Sequence, residues 1–441
     1  MSDNLNINQI DENLIDLLRY VPHFKSQLKL ARNNDYRFNT CICELTDYPI
    51  KKAKNIRINY QKSADSLTLY KIIFSDDCEN GFENLNDPTS SPFSFIHYSA
   101  DHDIDNENIS EFGTGMKQAA VSLGNKFTVY TKTHDKYYKI CMEFELMAAC
   151  RNKLESLKPT QIEISHEEYK KHHPFEYGST LIIEEILSNI LSTSFVSNLQ
   201  ENLENIISKT YSKILNHDSV TVQINDNVVE IESDIYQQPE CKPFTKELDV
   251  IYKVDDNNRV IVLEKDGSVY REYNETTQKF RKIKGSDLNR KLSYCDYING
   301  ERIVLKGTAC QFLPSDKIPR GSDKLPRGVT DIYKIDRYHG FYSQEKVSNG
   351  AKNYVKMELS FKTKELGKLF GSNYNKQINF EKDNIFTNSV KKSIADLSSS
   401  LEYDSSTNKA EKAYHKAIEN NIIVLDDKIP KRIKEQQEQQ Q

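Results

Sequence analysis

The chain has 441 residues with 60 basic and 65 acidic side chains, a net charge of −5. That balance excludes a global positive field drawing the whole protein onto nucleic acid, though not a local basic patch. With 37% hydrophobic and 28% charged residues, the length suits roughly two to four domains, and no apolar run approaches the ~18 residues of a membrane helix.

In chain order, residues 1–35 are predicted as a helical arm, with Ile10, Leu14, Leu17 and Leu18 on one stripe. The start, Met1-Ser2-Asp3-Asn4, lacks the basic and apolar regions of a signal peptide, so an intracellular protein of cytoplasm or nucleus is expected. A second helix is predicted from about Phe38 to Tyr48, burying Phe38, Ile42 and Leu45. Glu44 sits off that stripe and should project into a cleft or solvent. Ile56 to Tyr60 and Leu67 to Phe74 read as strands. Residues 83–109 are polar, with Pro88 and Pro92, and read as a long loop.

The loop runs into Phe112-Gly113-Thr114-Gly115-Met116-Lys117 and on to Leu123-Gly124. Met116, Ala119, Ala120 and Leu123 recur at helical spacing. A glycine loop entering a helix can cradle phosphates: glycine permits close backbone approach, and the helix N-terminus presents N–H groups to negative charge. Lys117 adds a full positive charge in the first turn. Further strands are expected over Phe127 to Thr131, Tyr137 to Phe144 and Thr180 to Ile183. One long helix fits Ser194 to Leu215. Val220 to Ile231 and Val260 to Tyr273 read as strands and hairpins, with a domain boundary near 215. The tandem Asp-Lys-Ile-Pro-Arg-Gly and Asp-Lys-Leu-Pro-Arg-Gly between 316 and 328 reads as a solvated loop. The glutamine-rich end is expected to fray. The eight cysteines (41, 43, 78, 141, 150, 241, 295, 310) form no C-x-x-C pair, which predicts buried free thiols. His97 and His172-His173 lack metal-ligand company and read as ordinary polar residues.

Four pieces stand in a definite order. They are the helix with Glu44-Leu45-Thr46-Asp47, the acidic turn Phe74 to Phe82, the glycine loop with its helix, and Gly178-Ser179-Thr180 entering a strand. As a set they resemble the GHKL ATPase superfamily: type II topoisomerases, the ninety-kilodalton heat-shock chaperones, histidine kinases and MutL. The wording is most similar to the MORC branch, with its A-E-L-x-D-N helix, F-x-D-D-G turn and F-G-x-G-x-K loop. The resemblance covers about residues 36–190. It implies an α+β architecture: a Bergerat-fold α/β sandwich ATPase domain over 36–215, then a ribosomal-protein-like α/β transducer domain over 216–400. The arm 1–35 precedes them and a charged tail, 401–441, follows.

The resemblance also implies roles. Glu44 matches the general base that activates water. Asp76 or Asp77 matches the carboxylate that accepts from the adenine amino group. Counting from the strand gives Asp76; counting back from Gly81 gives Asp77. Gly113, Gly115, Met116 and Lys117 match the lid and phosphate contacts, Ser110 stands where a first glycine is usual, and Ser179 supports the adenine site. Far downstream, Asn375-Lys376-Gln377 matches a transducer triplet whose lysine, here Lys376, reaches the γ-phosphate. ATP with Mg2+, an ATP-dependent homodimer and DNA or chromatin-like substrates follow as implied cofactors and partners; no membrane is implied.

Besides Ser110, the acidic turn lacks a glycine at Cys78 or Glu79, and the most consequential departure is Tyr48. Four residues after the base the family has a metal-binding asparagine, and this chain has Tyr48, followed by Pro49. Positions i and i+4 share a helix face, magnesium demands hard oxygen ligands, and a phenol is a poor substitute. Asp47 lies about 100° round the helix. The expected function is therefore an ATP-gated clamp with slow or absent hydrolysis; the alternative is a catalytically inactive scaffold working through protein partners.

Overall fold

The computed structural model describes residues 24–33, 36–65, 67–82, 85, 92–93, 115–149, 160–187, 190–217 and 219–231. Further on it describes 245–254, 260–264, 270–274, 276–284, 301–311, 329–334, 336–343, 355–361, 387–392 and 395. Among the predicted features, Gly113, Ser110, Lys376, the 316–328 tandem and the tail after 401 lie outside these residues. The chain divides into two compact units, 1–231 and 232–441, each with its own eight-stranded sheet.

In the first unit the strands are β1 (Asn55–Lys62), β2 (Leu69–Asp76), β3 (Gly124–Thr133), β4 (Lys136–Glu143), β5 (Thr160–Ile164), β6 (Ser179–Ile186), β7 (Thr221–Ile224) and β8 (Asn227–Val228). Their order is β5-β4-β3-β6-β2-β1-β7-β8. The sheet is mixed: β1 runs antiparallel to β2 and parallel to β7. Ile56 and Ile58 pair with Val222 and Ile224, so β7 and β8, beyond the boundary expected near 215, complete the first sheet.

Successive strand side chains face opposite sides. Ile72 and Phe74 of β2, Phe127 and Val129 of β3, and Leu181 and Ile183 of β6 enter the main core. The helices are α1 (Phe24–Asn33), α2 (Phe38–Asp47), α3 (Gly115–Leu123), α4 (Phe144–Ala149), α5 (His166–His172), α6 (Thr193–Ser197), α7 (Leu199–Thr210) and α8 (Ser212–His217). Residues of α1, α2, α3 and α7 share that core. On the opposite face, Tyr169 of α5 packs with Tyr130 and Ile182. Buried Phe38, Ile42 and Leu45 follow the predicted stripe of α2. Helix α2 ends at Asp47, with Tyr48 as a C-cap in helical geometry.

The long helix expected from Ser194 to Leu215 is three helices instead. Breaks fall at Asn198 (φ −101°, ψ 29°) and Tyr211 (φ −114°, ψ 17°). Tyr211 is fully buried and its hydroxyl reaches back to α2; that tertiary contact accompanies the break, which residue spacing does not register. Cys41, Cys43 and Cys78 are buried free thiols and Cys141 is a half-buried one.

In the second unit the strands are β9 (Thr245–Val254), β10 (Val260–Glu264), β11 (Tyr270–Asn274), β12 (Lys279–Lys282), β13 (Glu301–Gln311), β14 (Val329–Lys334), β15 (Arg337–Ser343) and β16 (Val355–Phe361). They are ordered β12-β11-β10-β9-β13-β16-β14-β15, with β14 and β16 parallel. A helical stretch covers 387–392. No described helix is long and apolar enough to cross a membrane.

Candidate functional site

The parity that buries Ile72 and Phe74 carries Asp76 onto the helix-covered face at the end of β2. Asp76 pairs in register with Ser179 of β6, and Ser179 with Thr131 of β3. Three side chains on adjacent strands thus form a polar row beside the apolar core. All three are buried, and the Thr131 and Ser179 hydroxyls are 2.7 Å apart. Asp76 Oδ1 accepts the backbone N–H of Cys78 at 3.1 Å. Burial, above all, raises the Asp76 pKa to about 6, because a low-dielectric environment disfavours the charged form.

The neighbouring carboxylate is engaged elsewhere. Asp77 Oδ1 accepts the backbone N–H groups of Lys54 and Asn55, both at 2.8 Å, and Oδ2 accepts Asn55 Nδ2 at 2.7 Å. Asp77 therefore ties the acidic turn to the start of β1, on the other side of the strand from the row. The turn then returns to β3: Gly81 donates its N–H to the Lys132 carbonyl at 3.1 Å, and Phe82 donates to Thr131 Oγ1 at 3.1 Å. A Cβ on Gly81 would overlap both the Lys132 carbonyl and Thr131 Oγ1. Gly81 thus serves the close approach of the turn to the row, rather than the extra freedom of a loop.

Glu44 is 4% exposed. It leaves the apolar stripe as expected and is buried, with α3 packed beside α2. Its carboxylate lies against the first residue of α3, where a Cβ on Gly115 would overlap Glu44 Oε2. An acid at a helix N-terminus is stabilised by the exposed N–H groups and the helix dipole. Met116 is half-buried and packs on the core. Lys117 is 2% exposed, and burial lowers its pKa to about 8. Helix α3 is fixed from behind by α1: Gln118 Nε2 and Ser122 Oγ each donate to the Ala31 carbonyl at 3.2 Å, and Arg32 Nε donates to the Val121 carbonyl at 3.1 Å.

The position expected to carry a metal ligand is aromatic in structure as well as in sequence. The Tyr48 ring stacks on Phe82 with centroids 4.9 Å apart and planes at 21°, and Phe82 meets Phe93 edge-on. The Tyr48 hydroxyl is directed to the Gly81 carbonyl at 3.4 Å. Asp47 is also committed. The Tyr211 hydroxyl lies 2.7 Å from Asp47 Oδ1 and 2.8 Å from the Cys43 carbonyl, sharing its one proton between them. Among the described residues no cluster of three or more His, Cys, Asp or Glu side chains is arranged to hold a metal ion. The described side chains around Glu44 do not supply the oxygen shell that magnesium demands.

Residue spacing misses three contributors. Thr131 belongs to the row; the alternation Phe127, Val129, Thr131 carries that signal once Ser179 is suspected. Phe82 underlies Tyr48. His173 is buried behind the row. Its Nε2 donates to the Tyr177 carbonyl at 2.9 Å, so Nδ1 accepts from Thr180 Oγ1 at 2.9 Å, and Thr180 in turn accepts from Ser75 Oγ at 2.9 Å. Ser75 and Thr180 are strand neighbours of Asp76 and Ser179 on the opposite face. The loop between His173 and β6 includes Gly178 at φ +114°, where a Cβ would overlap the Asp76 carbonyl.

Residues 36–174 match the family model described as "Histidine kinase-, DNA gyrase B-, and HSP90-like ATPase". The match supports the GHKL ATPase superfamily for this segment and ATP as its ligand class, and the large mixed sheet with its helical layer fits a Bergerat-type ATPase domain. It ends before Ser179 and so does not reach β6. The comparison with curated proteins gives no match.

Proposed function

We propose that the first unit binds ATP between the Asp76–Ser179–Thr131 row and the N-terminus of α3, and that it hydrolyses it slowly or not at all. The observation that carries this reading is the position of Glu44, a buried carboxylate set against Gly115 at the start of the helix that would meet the phosphates. In this reading Asp76 accepts the adenine amino group, with Ser179 and Thr131 supporting it. Gly113, Gly115 and Lys117 approach the phosphates, and Glu44 holds the attacking water as its base. Asp77 is left to its structural tie with β1.

The resemblance to the MORC branch extends the proposal. The second unit acts as the transducer, Lys376 contacts the γ-phosphate, and ATP closes a homodimeric clamp on DNA or a chromatin-like substrate. A second reading, a nucleotide-binding scaffold without turnover, is favoured by the Tyr48–Phe82 stack where a metal ligand is expected.

The test is ATP binding and hydrolysis by the full chain beside Glu44→Ala, Asp76→Asn and Tyr48→Asn. The clamp reading expects measurable turnover that Glu44→Ala abolishes and Tyr48→Asn raises. Turnover untouched by Glu44→Ala removes the base assignment. ATP binding without turnover favours the scaffold, and absence of binding at millimolar ATP overturns both.

A further inference from the structure

We infer that this site takes its nucleotide as the metal-free anion, with Lys52 and Lys117 supplying the countercharge that a divalent cation supplies elsewhere. The inference rests on the nucleotide reading above and concerns the ionic form of the ligand.

Two candidate oxygen sources for a metal near Glu44 are engaged in contacts already described. Tyr48, one turn on, presents an aromatic face stacked on Phe82, and hydrocarbon cannot replace the octahedral oxygen shell of magnesium. Asp47 is held by the Tyr211 hydroxyl.

Positive charge takes their place. The chain continues past α2 in helix-like turns, with Ile50 N bonded to the Thr46 carbonyl and Ala53 N to the Pro49 carbonyl. This brings Lys52 one further turn along, its Nζ 4.7 Å from the Tyr48 ring centroid. An ammonium over a tyrosine face is attracted by the ring quadrupole. Lys52 is exposed and its stem can swing without unpacking the core. Lys117 stands in the first turn of α3, buried. Ammonium groups beside Tyr48 and in the first turn of α3 repel a divalent cation and attract phosphate oxygens, an interaction that strengthens as water is excluded.

The test is calorimetric titration of the full chain with ADP, AMP and adenosine, in EDTA and in millimolar magnesium chloride. Lys52→Met and Lys52→Arg are run beside the wild type. The expected result is an ADP dissociation constant that agrees within about twofold with and without magnesium. Lys52→Met should weaken ADP by about five- to tenfold in EDTA, the weight of one screened phosphate contact. Adenosine binding should be unchanged, and Lys52→Arg should restore ADP. Magnesium tightening ADP by about tenfold or more, or Lys52→Met leaving ADP affinity intact, overturns the inference. Adenosine binding as tightly as ADP overturns it while leaving the base pocket standing. No binding of any of the three overturns the nucleotide reading and this inference together.

Discussion

Glu44 Oε2 occupies the space that a β-carbon on Gly115 would fill. The colliding atom is the far end of a flexible side chain, so Gly115→Ala displaces the carboxylate more readily than the backbone. Single-turnover hydrolysis should fall to the level of Glu44→Ala, while the melting temperature moves by less than about 2 °C. Gly178→Ala is the contrasting case. There the clash is with the Asp76 backbone, at φ +114°, and both strain and overlap should cost about 1–3 kcal/mol or more. Paired thermal melts and rapid-quench assays separate the two.

Nucleotide affinity should depend on pH through Asp76. Its pKa is raised to about 6 by burial, so the ordinary carboxylate range has shifted upward into the weakly acidic region. Above that value the group is an anion and accepts from an adenine amino group; below it the group is protonated. Adenosine affinity should rise from pH 5 to 7 and then level off, with proton release on binding near pH 6. Asp76→Asn should flatten the profile. Isothermal titration in buffers of different ionisation enthalpy reads both. The same shift stabilises the fold below pH 3.8, and that contribution is lost as pH rises through about 6.

His173 works in the opposite sense. Burial lowers its pKa to about 4 from a reference of 6.5, so the folded ring is held neutral while Nε2 donates to the Tyr177 carbonyl. The unfolded chain binds the proton near pH 6.5 and the folded chain only near 4, so acid favours unfolding across that window. The contribution lost is on the order of 3 kcal/mol. Because Asp76 offsets part of it, the measurement is the difference in denaturant-unfolding free energy between wild type and His173→Asn, from pH 7 to 4. The variant should lose less stability on acidification than the wild type.

Lys117 should trade stability for binding. Its depressed pKa of about 8 reflects the cost of holding an ammonium in a buried site. The unfolded chain keeps that proton to about pH 10.5, so stability gained from this group increases as pH rises from 8 to 10.5. At pH 7 Lys117→Met should raise the melting temperature by a few degrees and weaken ATP binding by about tenfold or more. A calorimetric scan paired with a binding titration tests both halves.

Local pattern was enough to reveal much of this molecule. The stripe Phe38, Ile42, Leu45 specifies a helix, and alternation in Ile56 to Tyr60, Phe127 to Thr131 and Thr180 to Ile183 specifies strands, because burial on one face imposes a 3.6- or 2-residue period. The order of Glu44, the acidic turn, the glycine loop and Ser179 resembles the GHKL superfamily, and the family match over 36–174 supports that superfamily. Tyr48 stands in the sequence where the resemblance implies a metal-binding asparagine. What the sequence could not rank were residues of equal chemistry at adjacent positions. Asp76 and Asp77 differ only in strand parity, and which one faces the row depends on β2 pairing with β6. The helix break at Tyr211, the shelter around His173 and the stack of Tyr48 on Phe82 join residues separated by 164, 7 and 34 positions. Such contacts are set by how strands and helices come to lie against one another, and only the tertiary structure decides them.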